Sequence, residues 1–175
     1  DILVVDDGSM DDTGKRAHEA GAHVLRHAIN RGQGAALKTG TEAALRYGAD
    51  MIVHIDADGQ HDPAFLPALL EPLMSDRVDV VFGSRFLGVE AEGMPSTRRL
   101  ILRAGCLFNA YALGVPHAMT DPQSGLRAMS AQAARQLSFF HDGIAHASEI
   151  LRAVTHSSLR WQEVPIRVRY SSETL

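Results

Sequence analysis

Ile52-Val53-His54-Ile55-Asp56-Ala57-Asp58-Gly59-Gln60-His61-Asp62 is an apolar, largely β-branched run that breaks abruptly into alternating carboxylates and an amide. β-Branched residues favour an extended, buried strand. Such a strand delivers Asp56 and Asp58, two hard oxygen ligands, to its carboxyl end. A bound Mg²⁺ or Mn²⁺ that itself holds a phosphate is the economical reason to gather so much negative charge. Magnesium seldom sits in an all-protein cage; it takes one or two carboxylates and completes its octahedron with water and phosphate oxygens. The stretch therefore implies a metal-assisted enzyme acting on a diphosphate.

Working outward, residues 2–5 form a short aliphatic strand that ends in Asp6-Asp7-Gly8-Ser9. Asp12 or Thr13 can cap a helix that stops near Gly21. Residues 22–26 read as a second strand and Asn30-Arg31-Gly32-Gln33-Gly34 as a loop, followed by a helix over 35–47 that ends at Gly48. The third strand covers 51–55. Pro63 suits a first helical turn and opens a helix to about Met74. A fourth strand, 78–82, is closed by Gly83-Ser84-Arg85. Strict alternation of strand and helix argues for an α/β fold with a mostly parallel central sheet and right-handed crossovers. Ligands then bind beyond the carboxyl ends of the strands. Asp6-Asp7, Asp56-Asp58 and Arg85 all fall there.

After Arg85 the pattern changes. Residues 86–96 read as a loop and 97–113 as a helical stretch bearing Arg98, Arg99 and Arg103. Residues 120–127 are polar and glycine-bearing. Short helices follow over 131–137 and 145–156, and 161–170 alternates enough to be a last strand. The 175 residues suffice for one domain with a sizeable core. It divides into a nucleotide- and metal-binding part, 1–95, and an acceptor-side part, 96–175. Charge follows that division: the first part carries eight Lys/Arg against 16 Asp/Glu, the second nine against five. Arg supplies 15 of the 17 basic residues, and its planar fork suits phosphate oxygens better than an ammonium. The total charge of −4 does not argue for nucleic acid. Cys106 is the single cysteine, so no internal disulfide is expected. No run approaches the length needed to span a bilayer, and no signal peptide is read. The chain opens on Asp1 with almost no lead-in to its first strand, and a preceding strand and loop are expected to be missing.

Four blocks occur in order: Asp6-Asp7-Gly8-Ser9-x-Asp11-x-Thr13, Asn30-x-Gly32-x-Gly34, Asp56-Ala57-Asp58-Gly59-Gln60-His61-Asp62-Pro63 and Gly83-Ser84-Arg85. Together they resemble the family 2 glycosyltransferases of the GT-A fold, most closely the polyprenyl-phosphate hexosyltransferase branch. Arg98-Arg99, Asp121-x-x-Ser124-Gly125-x-Arg127, Glu149-Ile150-Leu151 and Glu163-Val164-Pro165-Ile166 are similar to that branch's later blocks. The resemblance covers nearly the whole chain. It lacks the opening strand, of the type Val-Ile-Pro-x-Tyr-Asn-Glu, that normally contacts the nucleotide.

The resemblance implies a nucleotide-diphosphate sugar as donor, displacement with inversion, and a polyprenyl phosphate as acceptor at the cytoplasmic face of a membrane. Asp58 is the first choice as ligand to Mg²⁺ or Mn²⁺. Gln60 can add a neutral oxygen, and Asp56 either joins through water or holds the ribose. Asp7 and Asp6 would bond base or ribose, while Gly32 and Gly34 permit close backbone approach. Arg85 is a candidate for the donor diphosphate or the acceptor phosphate. Arg99 and Arg127, with Arg98 as alternative, would complete a phosphate clamp beside Ser124. Asp121 and Glu149 are candidates for a general base or for holding sugar hydroxyls, although a phosphate acceptor needs no base. His54 reads as a core histidine and His61 as able to reach a diphosphate; His141, His146 and His156 match no zinc spacing. A sugar-phosphate nucleotidyltransferase and a non-catalytic sugar-nucleotide-binding domain are the competing readings.

Overall fold

A computed structural model describes residues 1–87, 119–122, 124–137, 141–143 and 145–169. Its elements run β1 (Leu3–Asp6), α1 (Thr13–Glu19), β2 (His23–Arg26), α2 (Gln33–Arg46), β3 (Met51–His54), a 3₁₀ turn (Pro63–Phe65), α3 (Leu66–Met74), β4 (Val80–Ser84), β5 (Arg127–Ser130), α4 (Ala131–Gln136), α5 (His146–Thr155) and β6 (Trp161–Pro165). The expected loop over 86–96 falls mostly, and the helix over 97–113 wholly, outside the described residues.

Local chemistry explains the boundaries. Asp11, rather than Asp12 or Thr13, supplies the oxygen at the start of α1: its carboxylate accepts from Thr13 N at 3.0 Å and from Thr13 Oγ1 at 2.5 Å. Gly21 and Gly48 follow their helices at φ +88° and +81°, a region that glycine enters without strain. Asp62 caps the turn before α3, its Oδ1 accepting from Ala64 N at 3.0 Å.

The strands form two ladders. β1 and β2 pair in parallel. The larger sheet has the order β3-β5-β4-β6. Within it β4 and β6 are parallel, whereas β5 runs antiparallel to both β3 and β4. The sheet is mixed but keeps the expected sense: β3, β4 and β6 run the same way and one strand is reversed. β5 is the cause. Its four residues, Arg-Ala-Met-Ser, show no aliphatic run, yet it lies between β3 and β4 with Arg127, Ala128 and Met129 all buried. Interior position in the sheet, which is a tertiary property, overrides weak local propensity.

Both faces of the larger sheet are covered. Side chains alternate along a strand, so Val80 and Phe82 of β4 face one layer while Val81 faces the other. The first layer joins Val80, Phe82 and Met129 to Ala133 of α4 and to Ile150, Leu151 and Val154 of α5. The second joins Val81 and Ala128 to Leu69 and Leu73 of α3, and to Val164, Ile166 and Val168. Gly83 has no room for a side chain, because a Cβ there would press on Ile166. This double coverage holds the carboxyl ends of β3, β4 and β6 at one rim.

Candidate active site

Asp56 follows β3 by two residues, and its Oδ1 accepts from Gln33 Nε2 at 2.8 Å. Its other oxygen points at Gly125, where any side chain would collide with it. Asp58 is exposed, and its Oδ1 closes a tight turn by accepting from Gln60 N at 2.9 Å. Gly59, at φ +74°, permits that turn. The far end of the loop is fastened to the C-terminal segment. Arg169 donates its backbone N to Gln60 O and its guanidinium to Asp62 Oδ2, both at 2.9 Å. His61 bridges Val168. The loop is thus tied at its base while Asp58 faces solvent. Among the described residues, no three His, Cys, Asp or Glu side chains gather closely enough to hold a metal ion by themselves. Asp56, Asp58 and Gln60 carry hard oxygen donors, the type that Mg²⁺ or Mn²⁺ takes in small number from a protein.

Asp7 lies one residue beyond β1 and acts on the protein itself. Its Oδ1 accepts from Arg31 N at 2.9 Å and from His27 Nδ1 at 2.6 Å, and its Oδ2 from Gly32 N at 2.6 Å. Burial pushes its carboxyl up, but these donors outweigh burial and hold it below the usual range. Asp6 is buried, with Oδ1 accepting from Ser9 N at 2.8 Å and Oδ2 lying 3.5 Å from Arg26 Nε. The Ser9 bonds, opposed by burial and assisted by Arg26, lower its pKa. Gly32 and Gly34 do permit close backbone approach, but to another part of this chain. A Cβ on Gly32 would strike Asp142 O, and one on Gly34 would strike His141 O. Gly34 N donates to Asp142 O at 2.7 Å, so residues 141–143 cap the start of α2.

At the end of β4, Arg85 makes a two-pronged pair with Asp121. Its Nε donates to Oδ2 and its Nη2 to Oδ1, both at 2.6 Å, while its backbone N reaches Oδ2 at 3.0 Å. Asp121 is 1% exposed. The same turn is held from behind by Glu163 of β6, which accepts from Thr120 N at 2.7 Å, Thr120 Oγ1 at 2.9 Å and Asp121 N at 2.8 Å. Glu149 on α5 accepts from His141 N at 2.9 Å.

Between these groups lies a cavity of about 250 Å³ lined by Gln33, Asp56, Gly125, Arg127, His146 and Ser148. A larger hollow of about 380 Å³ lies beside β2, away from the strand ends, against His18, His23 and Tyr47. The smaller one adjoins the chemistry. Arg127 is buried, its Nε lacks a protein partner, and burial lowers its pKa to about 10 against the opposing pull of Asp56. It therefore stays charged at neutral pH. Ser124 Oγ and His61 Nδ1 are likewise buried without protein partners. Burial lowers the His61 pKa, against Asp56 and Asp58. His54 is a core residue: its Nε2 lies 2.8 Å from Thr41 Oγ1, which donates to Leu37 O at 2.8 Å. His54 Nε2 is thus the donor, and burial depresses its pKa to about 3.

The structure therefore brings Asp56, Asp58, Gln60, Ser124, Arg127, Arg85 and Asp121 to one rim, with Asp6, Asp7, Gly32 and Gly34 beside it. Glu149 bears on that rim through His141, whose N it bonds, and through its charge near His146 of the cavity wall. Arg99, like Arg98, lies outside the described residues. Sequence reading assigned no role to Glu163, Gln33 or His146. Glu163 carried a signal, since it opens a recognised block, but its partners lie about 40 residues away in the chain.

A family model described as glycosyl transferase family 2 matches residues 1–137. The chain is 33% identical over 194 residues to the UDP-N-acetylglucosamine–dolichyl-phosphate N-acetylglucosaminyltransferase of Methanococcus voltae, covering 99% of this chain and 76% of that protein. It is 38% identical over 143 residues to the undecaprenyl-phosphate mannosyltransferase of Micrococcus luteus, covering 78% of this chain and 57% of that protein. Among solved structures, the UDP complex of glucosyl-3-phosphoglycerate synthase from Mycobacterium tuberculosis matches with a TM-score of 0.69 at 25% identity, over 97% of this chain and 60% of that one. The chain thus spans under two thirds of the mannosyltransferase and of the synthase. The mixed sheet flanked by helices, with its acidic rim, is that of the GT-A fold, and the chain belongs to glycosyl transferase family 2.

Proposed function

We propose that this chain carries the catalytic machinery of an inverting hexosyltransferase that moves a sugar from a nucleoside-diphosphate donor to a polyprenyl phosphate, assisted by Mg²⁺ or Mn²⁺. Asp58 and Asp56, with Gln60, would hold the cation; when bound, it supplies charge stabilisation to the departing diphosphate. The chain's own residues do the rest. Gln33 orients Asp56 through its amide. Arg127 offers a buried positive charge with an unpartnered Nε at the cavity wall, a good match to an anionic oxygen. Arg85, locked at the end of β4, adds a second cation at the rim, with Ser124 nearby as a hydroxyl donor.

One observation carries the acceptor assignment. Both oxygens of Asp121 are engaged by Arg85, and Glu149 is bonded to His141 N. Asp121 is thereby committed to a cation rather than poised to take a proton from a hydroxyl. A phosphate is already an anion at neutral pH and needs no base, only cations to let it approach a second phosphate. The names of the Methanococcus and Micrococcus relatives specify lipid-phosphate acceptors, which supports the same choice. Association with a membrane surface follows from such an acceptor; among the described residues no helix is long and apolar enough to cross a membrane.

The test is transfer from UDP- and GDP-linked hexoses to polyprenyl phosphate, with Mn²⁺ or with a chelator. Metal-dependent formation of the lipid-phosphate sugar is expected. Transfer to neutral alcohols in preference to lipid phosphates would reject the acceptor. Release of pyrophosphate from a nucleoside triphosphate would reassign the chain as a nucleotidyltransferase.

A further inference from the structure

We propose that Glu163 is a positioning residue for Arg85, acting through the Thr120–Asp121 turn. Only its consequence for turnover rests on the transferase reading above. Glu163 is half-buried in β6, in register with Phe82 of β4, three residues before Arg85. Its carboxylate takes three protons from one turn: Thr120 N, Thr120 Oγ1 and Asp121 N. Two successive backbone N–H groups aimed at one side chain call for an acceptor without protons of its own, and an ionised carboxylate supplies that.

The turn so held reaches Arg85 by two routes. Through Asp121, it grips the guanidinium at two points and the Arg85 backbone N at a third. Through Thr120, whose Oγ1 lies 2.5 Å from Ser84 Oγ, it fixes the residue before Arg85; Ser84 Oγ in turn accepts from Phe86 N, the residue after it, at 3.2 Å. Arg85 is thus framed on both sides, and both frames originate at Glu163. A balance of charge alone does not explain this, because Glu163 adds a second carboxylate beside Asp121 where like charges repel. Geometry does: the bidentate fork holds only when the Asp121 oxygens are placed to within a few tenths of an ångström.

The informative substitution is Glu163→Gln, which keeps shape but turns an amide N–H₂ toward backbone or hydroxyl donors. Two readouts are expected. In ¹⁵N NMR, the Arg85 Nε–H, protected by its bond to Asp121, should exchange with solvent about tenfold faster in E163Q, with partial recovery in Glu163→Asp. In transfer assays kcat should fall by about tenfold or more with little change in the donor KM, because misplacement of a positioned group costs turnover. In an Arg85→Ala background E163Q should cost under about threefold further, as expected of residues that act as one unit. Unchanged Arg85 Nε–H exchange, or equal losses in the two backgrounds, overturns the proposal. If E163Q does not fold, Thr120→Val removes one donor at constant volume and carries the same readouts. An otherwise folded chain that transfers no sugar to any lipid phosphate rejects the functional reading and leaves the exchange measurement to decide on Glu163.

Discussion

Two stretches of the same rim treat their carboxylates in opposite ways. Beyond β3, Asp58 stands in solvent with a local bond from Gln60 N, and one oxygen of Asp56 accepts from an exposed glutamine, Gln33. Beyond β4, Asp121 is buried and both its oxygens are consumed by Arg85, with Glu163 holding the turn beneath. The first arrangement leaves lone pairs for something that arrives from outside. The second spends them on placing a cation. A carboxylate count alone would not separate these roles; the partners do.

Removing a partner on the wired side should have the largest effect. Asp121→Ala leaves the Arg85 guanidinium largely buried beside an empty turn, and chemical denaturation should show a loss of about 3–5 kcal/mol. A change under about 1 kcal/mol would mean that Arg85 finds another partner as good, which would erase the contrast between the two stretches of rim. On the open side the expectation reverses. Asp58→Ala should lower metal-dependent transfer roughly 10²–10³-fold while the unfolding free energy stays within about 0.5 kcal/mol. Full activity in that variant would remove Asp58 from the metal site.

Smaller effects sharpen the picture. Gly34→Ala drives a methyl into the His141 carbonyl and should cost about 1–3 kcal/mol, read as a lowered melting temperature, because the 141–143 backbone must move. The same change at Gly48, with nothing within reach of its Cβ, tests the positive φ alone. The last prediction concerns pH. His54 is held neutral in the fold with a pKa of about 3, against 6.5 when unfolded. Its contribution is therefore complete above about pH 6.5 and fades as pH falls toward 3, at about 1.4 kcal/mol per pH unit. His61 and His146 are lowered too, mainly by burial, and steepen the acid limb. His54→Asn should reduce the slope by about one proton's worth; an unchanged slope would mean that His54 titrates normally in the fold.

Much of this was legible from the residues alone because it is local. The strand ends at Asp6, His54 and Ser84 fall within a residue or two of the positions where apolar runs give way to turn chemistry. Gly21 and Gly48 stop their helices for a reason that concerns only their own φ. The Asp58–Gln60 turn, too, is written in three consecutive residues. β5 was not legible, since Arg127-Ala128-Met129-Ser130 becomes a strand only by lying between β3 and β4. The glycines of the 32–34 loop were read for the right property, closeness, but the object that comes close is the backbone of residues 141–143. Nothing in a local window names that segment.

The sequence by itself determined the order of strands and helices apart from β5, the clustering of acid and arginine at strand ends, and through them the family. Those are consequences of periodicity, backbone propensity and short motifs, which act over a few residues. Only the tertiary structure decided which carboxylates stay available and which are consumed. That choice depends on whether a donor from a distant segment arrives within about 3 Å, and hydrogen bonding at that range is set by packing across the sheet.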